Sequence, residues 1–107
     1  MIAETPQPPY YAVIFTSIKN DAAEEGYDVT SDLMVALAQE QPGYLGHETA
    51  RNEVGITVSY WQNVEAIKRW KQQTDHIIAQ QMGRKQWYKS YKVRICLVER
   101  DYSFEKV

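Results

Sequence analysis

The chain has 107 residues, 44% hydrophobic and 24% charged, the proportions of one small globular domain. Twelve basic against fourteen acidic residues leave a net charge of −2, which excludes the dense positive field that a nucleic-acid or anionic-membrane binder needs. The single cysteine, Cys96, excludes an internal disulfide and any multi-cysteine zinc site.

Residues 1–9 carry Pro6, Pro8 and Pro9 and are expected to form a flexible, poorly pairing tail. This start has no basic residue and no apolar run, so it does not read as a signal peptide. No stretch approaches membrane-spanning length, and a cytoplasmic location is expected. Tyr10–Ile18 is rich in aromatic and β-branched residues and predicts a buried strand. From about Tyr27 to Gln41, Met34, Leu37, Ala38 and Gln41 fall at helical spacing, with Asp28 or Thr30 able to cap the start and Pro42-Gly43 ending the helix. Residues 44–52 and 55–61 predict a short antiparallel hairpin turning at Asn52–Gly55. Asn63 predicts a cap for a second helix over Val64–Met82, with Gly83 as its stop. Residues 84–91 predict a short helical turn, residues 91–100 the last strand, and 103–107 a tail. Cys96, inside the apolar run "VRICLV", is expected to be a buried, inert thiol.

Strand, helix, strand, strand, helix, strand is the order of a ferredoxin-like split βαβ domain, here residues 10–102. Both helices of such an α+β sandwich lie on one face of the sheet. On the first strand Tyr11, Val13 and Phe15 point one way and Ala12, Ile14 and Ile18 the other, so both faces look buried. A small core and three Trp with eight Tyr add to the expectation that a second copy covers the remaining face.

The stretches "QPGYLGHETAR", "GITVSYW" leading into "EAIKRWK", and "GRKQWYKSYKVRI" followed by "VERDY" resemble the antibiotic biosynthesis monooxygenase (ABM) family over roughly Tyr10–Tyr102. The resemblance implies a ferredoxin-like domain paired into a dimeric α+β barrel. It leaves activity open, because some members oxidise phenolic polyketides with O₂ without metal or flavin, others bind and degrade haem, and many have no known substrate. The haem-degrading members carry an Asn on the first strand, a Trp on the second long helix, and a ligating His ten positions after it. Here Trp70 matches, but Gln80 stands at the His position and "FTS" where the Asn is expected, which disfavours haem.

Oxidation without a cofactor needs a base for the substrate's phenolic proton and an aromatic-lined, water-poor site. His76 is the candidate proton acceptor, with Trp61, Trp70, Trp87, Tyr88 and Arg94 as candidate substrate contacts. Each has a plainer reading beside it. On an ideal helix His76 lies about 120° from Trp70, on an edge with Arg69, Gln73 and Gln80, and faces solvent unless the helix breaks near Gln73–Asp75. Trp70 is centred on the apolar face and suits core packing, Trp61 suits core or pocket rim, and Trp87, Tyr88 and Tyr91 suit packing or a dimer contact. Arg94 suits a salt bridge, for example to Glu48, and His47 a structural role. A metal site from His47, His76 and Glu48 lacks compelling spacing. The leading expectation is a cofactor-independent monooxygenase for a small hydrophobic or aromatic molecule. The alternatives are a non-catalytic ligand-binding or stress-related homodimer and, third, a haem-degrading enzyme.

Overall fold

A computed structural model describes residues 2–19, 35–82 and 88–106, with backbone alone for 77–82. Its strands are β1 (Tyr10–Lys19), β2 (Tyr44–Arg51), β3 (Gly55–Trp61) and β4 (Tyr88–Val98). The described part of the first helix, α1, covers residues 35–40, and α2 runs over Val64–Met82. The strands form one sheet in the order β2-β3-β1-β4, every neighbouring pair antiparallel. This is the α+β ferredoxin-like fold read from the element order. The capping residues proposed for α1 and the Gly83 stop lie outside the described residues.

β1 is central because it is the richest in residues that suit a pleated, doubly covered position. Alternation divides its side chains between two faces, and register carries the division across the sheet. Tyr11 pairs with Trp61 and Val13 with Ser59 on the helix side, while Ala12 pairs with Tyr60 and Ile14 with Val58 on the open side. The core lies on the helix side, where Val13, Trp61, Ala38, Ala66 and Ile67 are buried together and Tyr11, Tyr44 and Trp70 pack around them.

α2 begins where Asn63 Oδ1 accepts the Ala66 amide at 2.8 Å, the bond expected of an N-cap. Glu65 in its first turn suits the positive end of the helix dipole. The two helices are tied by the Gln41 amide donating to the Gln73 side chain at 2.9 Å. Gly43, at φ +92°, makes the turn after α1, and a Cβ there would come within 2.8 Å of the Ala66 Cβ. No larger residue allows the loop so close to α2.

β4 corrects the reading of residues 84–91. It begins at Tyr88, so Tyr88–Tyr91 are strand and not a helical turn, and the strand ends at Val98. The cause is β1, which continues to Lys19 and pairs Ile18 with Ser90 and Lys19 with Tyr88 through an irregularity at its end. Cys96 pairs with Ala12 on the open face and is half-buried, outside the helix-side core. Among the described residues, no helix is long and apolar enough to cross a membrane.

The segment before β1 is laid across one end of the open face through side-chain bonds that its prolines gave no reason to expect. The Ala3 amide donates to Glu48 at 2.9 Å, and the Thr5 hydroxyl donates to the Tyr10 oxygen at 3.0 Å. Tyr10 donates in turn to Asp101, and Tyr60 to the other oxygen of Glu48. The Tyr60 hydroxyl and the Ala3 amide hold the Glu48 carboxyl below its ordinary range. Burial, and then the bond to Glu48, pushes the Tyr60 hydroxyl far up, while donation to Asp101 raises Tyr10.

Two stability outcomes follow from these contacts. Asn63→Ala should cost about 1 kcal/mol in urea unfolding, the usual loss for an N-cap. For Glu48 the folded carboxyl is depressed, so its stabilisation is complete above the ordinary carboxylate range and is lost as pH falls through the folded value. Glu48→Gln should therefore be less stable than the parent at neutral pH, and the gap should close between about pH 5 and pH 3. A gap that stays constant over that interval would contradict the assignment.

Candidate functional site: a polar floor beneath the helices

The helix-side face of a sandwich sheet ordinarily supplies apolar side chains to the core. Here β1 and β4 do so along their length, with Val13, Phe15, Val93, Ile95 and Leu97, whereas β2 and β3 do so only at one end. In the row Tyr44, Trp61, Tyr11, Leu97, the indole of Trp61 is 0% exposed and meets Trp70 of α2 at 5.3 Å between ring centroids. Tyr44 closes on Trp61 edge to face at 5.6 Å. Beyond that row, β2 and β3 turn polar on the same face: His47 beside Ser59, Thr49 beside Thr57, and Arg51 beside Gly55, with Ser17 of β1 completing the last row.

These groups are bonded to one another. Trp61 Nε1 donates to Ser59 Oγ at 2.9 Å, and the hydroxyls of Thr49 and Thr57 share a bond of 2.8 Å. Arg51 reaches across Gly55 to donate to Ser17 Oγ at 2.5 Å. The hydroxyl of Tyr44 and Nδ1 of His47 stand 2.5 Å apart. Burial raises the Tyr44 pKa, so its oxygen keeps its proton at neutral pH. Ser17 and Ser59 are buried, Tyr44, His47 and Thr57 half-buried, and Thr49 and Arg51 exposed.

The Tyr44–His47 contact depends on a local irregularity. Residues three apart point to opposite faces of a regular strand. β2 slips register between Tyr44 and Gly46, which returns Tyr44 to the face of His47. Gly46 sits at φ +151°, and a Cβ there would meet Ala3 at 3.3 Å.

Of the residues expected from the sequence, the structure brings Trp61 and Trp70 together at the start of α2. Tyr88 joins Phe15 and Tyr91 in an aromatic group at the far end of the helix side, with centroids 5.3–5.9 Å apart. Trp87 lies outside the described residues. His76 is exposed, like Arg69 and Gln73, as the phase of an unbroken α2 requires. Arg94 is on the open face, paired in register with Ile14, and does not join the tryptophans. It forms no ion pair among the described residues, and Glu48 stands at the opposite edge of the sheet. An open groove of about 370 Å³ runs past Arg94, Lys92, Ile18 and Val54 at the far end of β1, away from the tryptophans. His47 and Glu48 face opposite sides, and no cluster of three potential metal ligands occurs among the described residues.

The floor residues escaped the sequence reading, although β3 carried a signal for them. In "GITVSYW" the side with Thr57 and Ser59 is the polar one, and Trp61 belongs to that side.

The sequence model described as "Antibiotic biosynthesis monooxygenase" matches residues 9–81. The chain is 47% identical over 107 residues to the uncharacterized protein YqjZ of Bacillus subtilis strain 168, covering 98% of this chain and 93% of that one. Two solved structures share the fold at low identity. A mutant of SnoaB, a cofactor-independent oxygenase from Streptomyces nogalater, has a TM-score of 0.64 and 14% identity over 87% of this chain and 95% of that one. A mutant of MhuD with two manganese protoporphyrin IX molecules per active site has a TM-score of 0.67 and 15% identity over 88% and 99%.

Gly55→Ala tests the floor directly. An added Cβ would fall 2.2 Å from Arg51 Cζ, so the guanidinium must leave and Ser17, 2% exposed, loses its bond. Stability should fall by about 1–3 kcal/mol, the cost of stranding a buried hydroxyl. In a Ser17→Ala background the same change should cost distinctly less, a coupling that a double-mutant cycle of unfolding free energies reads.

Proposed function

The chain belongs to the antibiotic biosynthesis monooxygenase family, and we propose that it oxidises a small aromatic molecule bearing an ionisable hydroxyl, on the polar floor at the helix side of β2 and β3. The observation that carries this reading is the floor itself. Serine, threonine and histidine side chains occupy the face of the sheet where a purely structural domain would place aliphatic ones. Its tryptophan end suits an aromatic ring, and its hydroxyls and imidazole suit the oxygens that the ring carries.

We assign the proton step to His47, because His76 stands on the exposed side of α2. With Nδ1–H donating to the Tyr44 oxygen, the other ring nitrogen holds a free lone pair and takes the substrate's hydroxyl proton. The phenolate passes one electron to O₂. Superoxide and aryloxyl radical then combine at a ring carbon as a peroxide anion, the His47 imidazolium returns its proton, and the resulting hydroperoxide loses water to leave a quinone. Phenol plus O₂ gives quinone plus water, so the step balances without an outside reductant.

Protoporphyrin, which the MhuD structure contains, does not fit the residues of α2. The helix carries its histidine at an exposed position, and Gln80 follows Trp70 by ten residues. The working unit in this reading is a cytoplasmic homodimer, supported by the apolar residues Ile18 and Ile56, which remain 41% and 43% exposed on the open face.

A second reading is binding without turnover. It is favoured by the closeness of Trp61 and Trp70, which fill the interior at the start of α2. An oxygen electrode and tryptophan fluorescence, applied together to a panel of naphthols and hydroxylated anthrones, separate the two. Oxygen consumption with quinone absorbance supports the oxidase reading, and quenching without consumption supports the binding module. His47→Ala should lower turnover by about a hundredfold or more, the usual contribution of a positioned base. His76→Ala should leave it unchanged, and the opposite pattern would return the role to the helix.

A further inference from the structure

His47 stands between two residues that the segment before β1 holds from the other side of the sheet. Gly46 and Glu48 flank it on β2 and face the open side, where Ala3 lies over both. The Ala3 amide donates to Glu48 at 2.9 Å, and a Cβ on Gly46 would meet the Ala3 Cβ at 3.3 Å. Tyr60 of β3 donates to the second oxygen of the same carboxylate, so Glu48 is bonded both to the segment and to the neighbouring strand. Along residues 2–5 exposure alternates, with Ala3 and Thr5 half-buried against the sheet and Ile2 and Glu4 exposed. The segment is therefore seated by successive contacts, which continue from Thr5 to Tyr10 and from Tyr10 to Asp101.

We propose that residues 2–5 are a strap that positions the His47 imidazole, through Gly46 and Glu48, from the face opposite the site. The inference names a regulation of the site proposed above, and it rests on the assignment of the proton step to His47 for its chemical consequence. Its physical basis is the weakness of β2 at this point. β2 is an edge strand, paired with β3 alone among the described residues, and its ladder slips between Tyr44 and Gly46. Gly46 is at φ +151°, a conformation that glycine enters and leaves without steric cost. Half a ladder and a permissive residue leave the slip to be fixed by what packs on it. Ala3 packs on it.

The slip carries Tyr44 to the face of His47, where its hydroxyl stands beside Nδ1. With the strap seated, Nδ1–H donates to Tyr44 and the lone pair is left on the other ring nitrogen. With the strap lifted, β2 regains its freedom at Gly46 and the Tyr44 contact loosens. The ring then reverts to the mixture of tautomers of a solvated imidazole, and the base loses its aim. Whatever engages residues 2–5 thus acts on the base without entering the site.

The test breaks the strap at one atom. Ala3→Pro removes the amide N–H from the intact chain and leaves every residue of the site in place. NMR of the histidine ring nitrogens reads the tautomer of His47, and the Glu48 carboxyl is titrated in the same samples. In the parent His47 should show the Nδ1–H form. In Ala3→Pro the Glu48 carboxyl should titrate higher, since a bond that depresses it is gone, and the Nδ1–H signal should give way to a mixture. With an oxidised member of the naphthol and anthrone panel, kcat should fall between about tenfold and a hundredfold while KM stays near the parent value. Glu48→Leu breaks the same bond from its other end and should give the same loss. Glu4→Gln, on the strap but facing solvent, should change neither reading. An equal ratio of tautomers in parent and Ala3→Pro overturns the strap, whether or not the Glu48 carboxyl moves. A parent that consumes no oxygen, with a tautomer that still follows Ala3, overturns the oxidase reading and leaves the positioning intact.

Discussion

An indole with no exposed surface carries its N–H donor into a place without water, where an unmade bond costs about 1–3 kcal/mol. Trp61 meets that demand from its own strand, donating to Ser59 two residues back on the same face. The arrangement has consequences for the rest of the sheet. Ser59 pairs in register with Val13 on one side and His47 on the other, so the donor needed by the core's largest side chain plants a hydroxyl in the middle of the helix-side face. Thr57, Thr49, Ser17 and Arg51 continue the polar surface, each bonded to a neighbour, and no buried side-chain polar atom is left unpartnered among the described residues. Core and floor are two ends of one surface, and Trp61 is the hinge between them.

The fold was legible because each element announces itself locally. The aromatic and β-branched run of β1, the Pro42-Gly43 stop, the short hairpin and the Asn63 cap each follow from a few adjacent residues, and the order of elements leaves few topologies. The start of β4 was not legible, because its residues are ordered by pairing with the far end of β1 rather than by their own sequence. The same limit hid the site. Alternation in β3 shows that one face carries Thr57, Ser59 and Trp61, yet alternation does not say which face the helices cover. That is decided by long-range packing of Trp61 on Ala66, Ile67 and Trp70. His47 looked structural as a lone strand histidine, since Tyr44, three residues before it, belongs on the opposite face of any regular strand and gave no sign of a partner. Only the register slip at Gly46 unites them, and a slip is set by the partner strand and the overlying Ala3.

The two faces of the sheet depart from the usual arrangement at the β2–β3 edge. On β2 and β3 the helix side holds the hydroxyls and the imidazole, while Val13 and Phe15 of β1 and Val93, Ile95 and Leu97 of β4 keep the rest of that side apolar, and the open side carries Ile14, Ile18, Ile56 and Val58 among charged residues. An apolar face without helices demands cover, and a polar face with helices demands a ligand or water. The segment before β1 covers one end of the open side and stops there, tied down by Glu48 and Tyr10. The sheet is therefore a divider between two different kinds of surface.

The proposed shift of the proton step from α2 to β2 has a physical basis beyond exposure. Thr74 is buried and its hydroxyl donates to the Lys71 carbonyl one turn back, so α2 keeps its phase through the place where a break would have been needed to bring His76 inward. An unbroken helix that buries Ile67 and Thr74 leaves residue 76 on its outer side. A base on the sheet has a further advantage, since β2 is fixed along its length by the β3 ladder and the His47 ring is held by Tyr44. Catalytic geometry tolerates errors of only about half an ångström, and a side chain locked between neighbours on a paired strand meets that tolerance where one on the wet side of a helix does not.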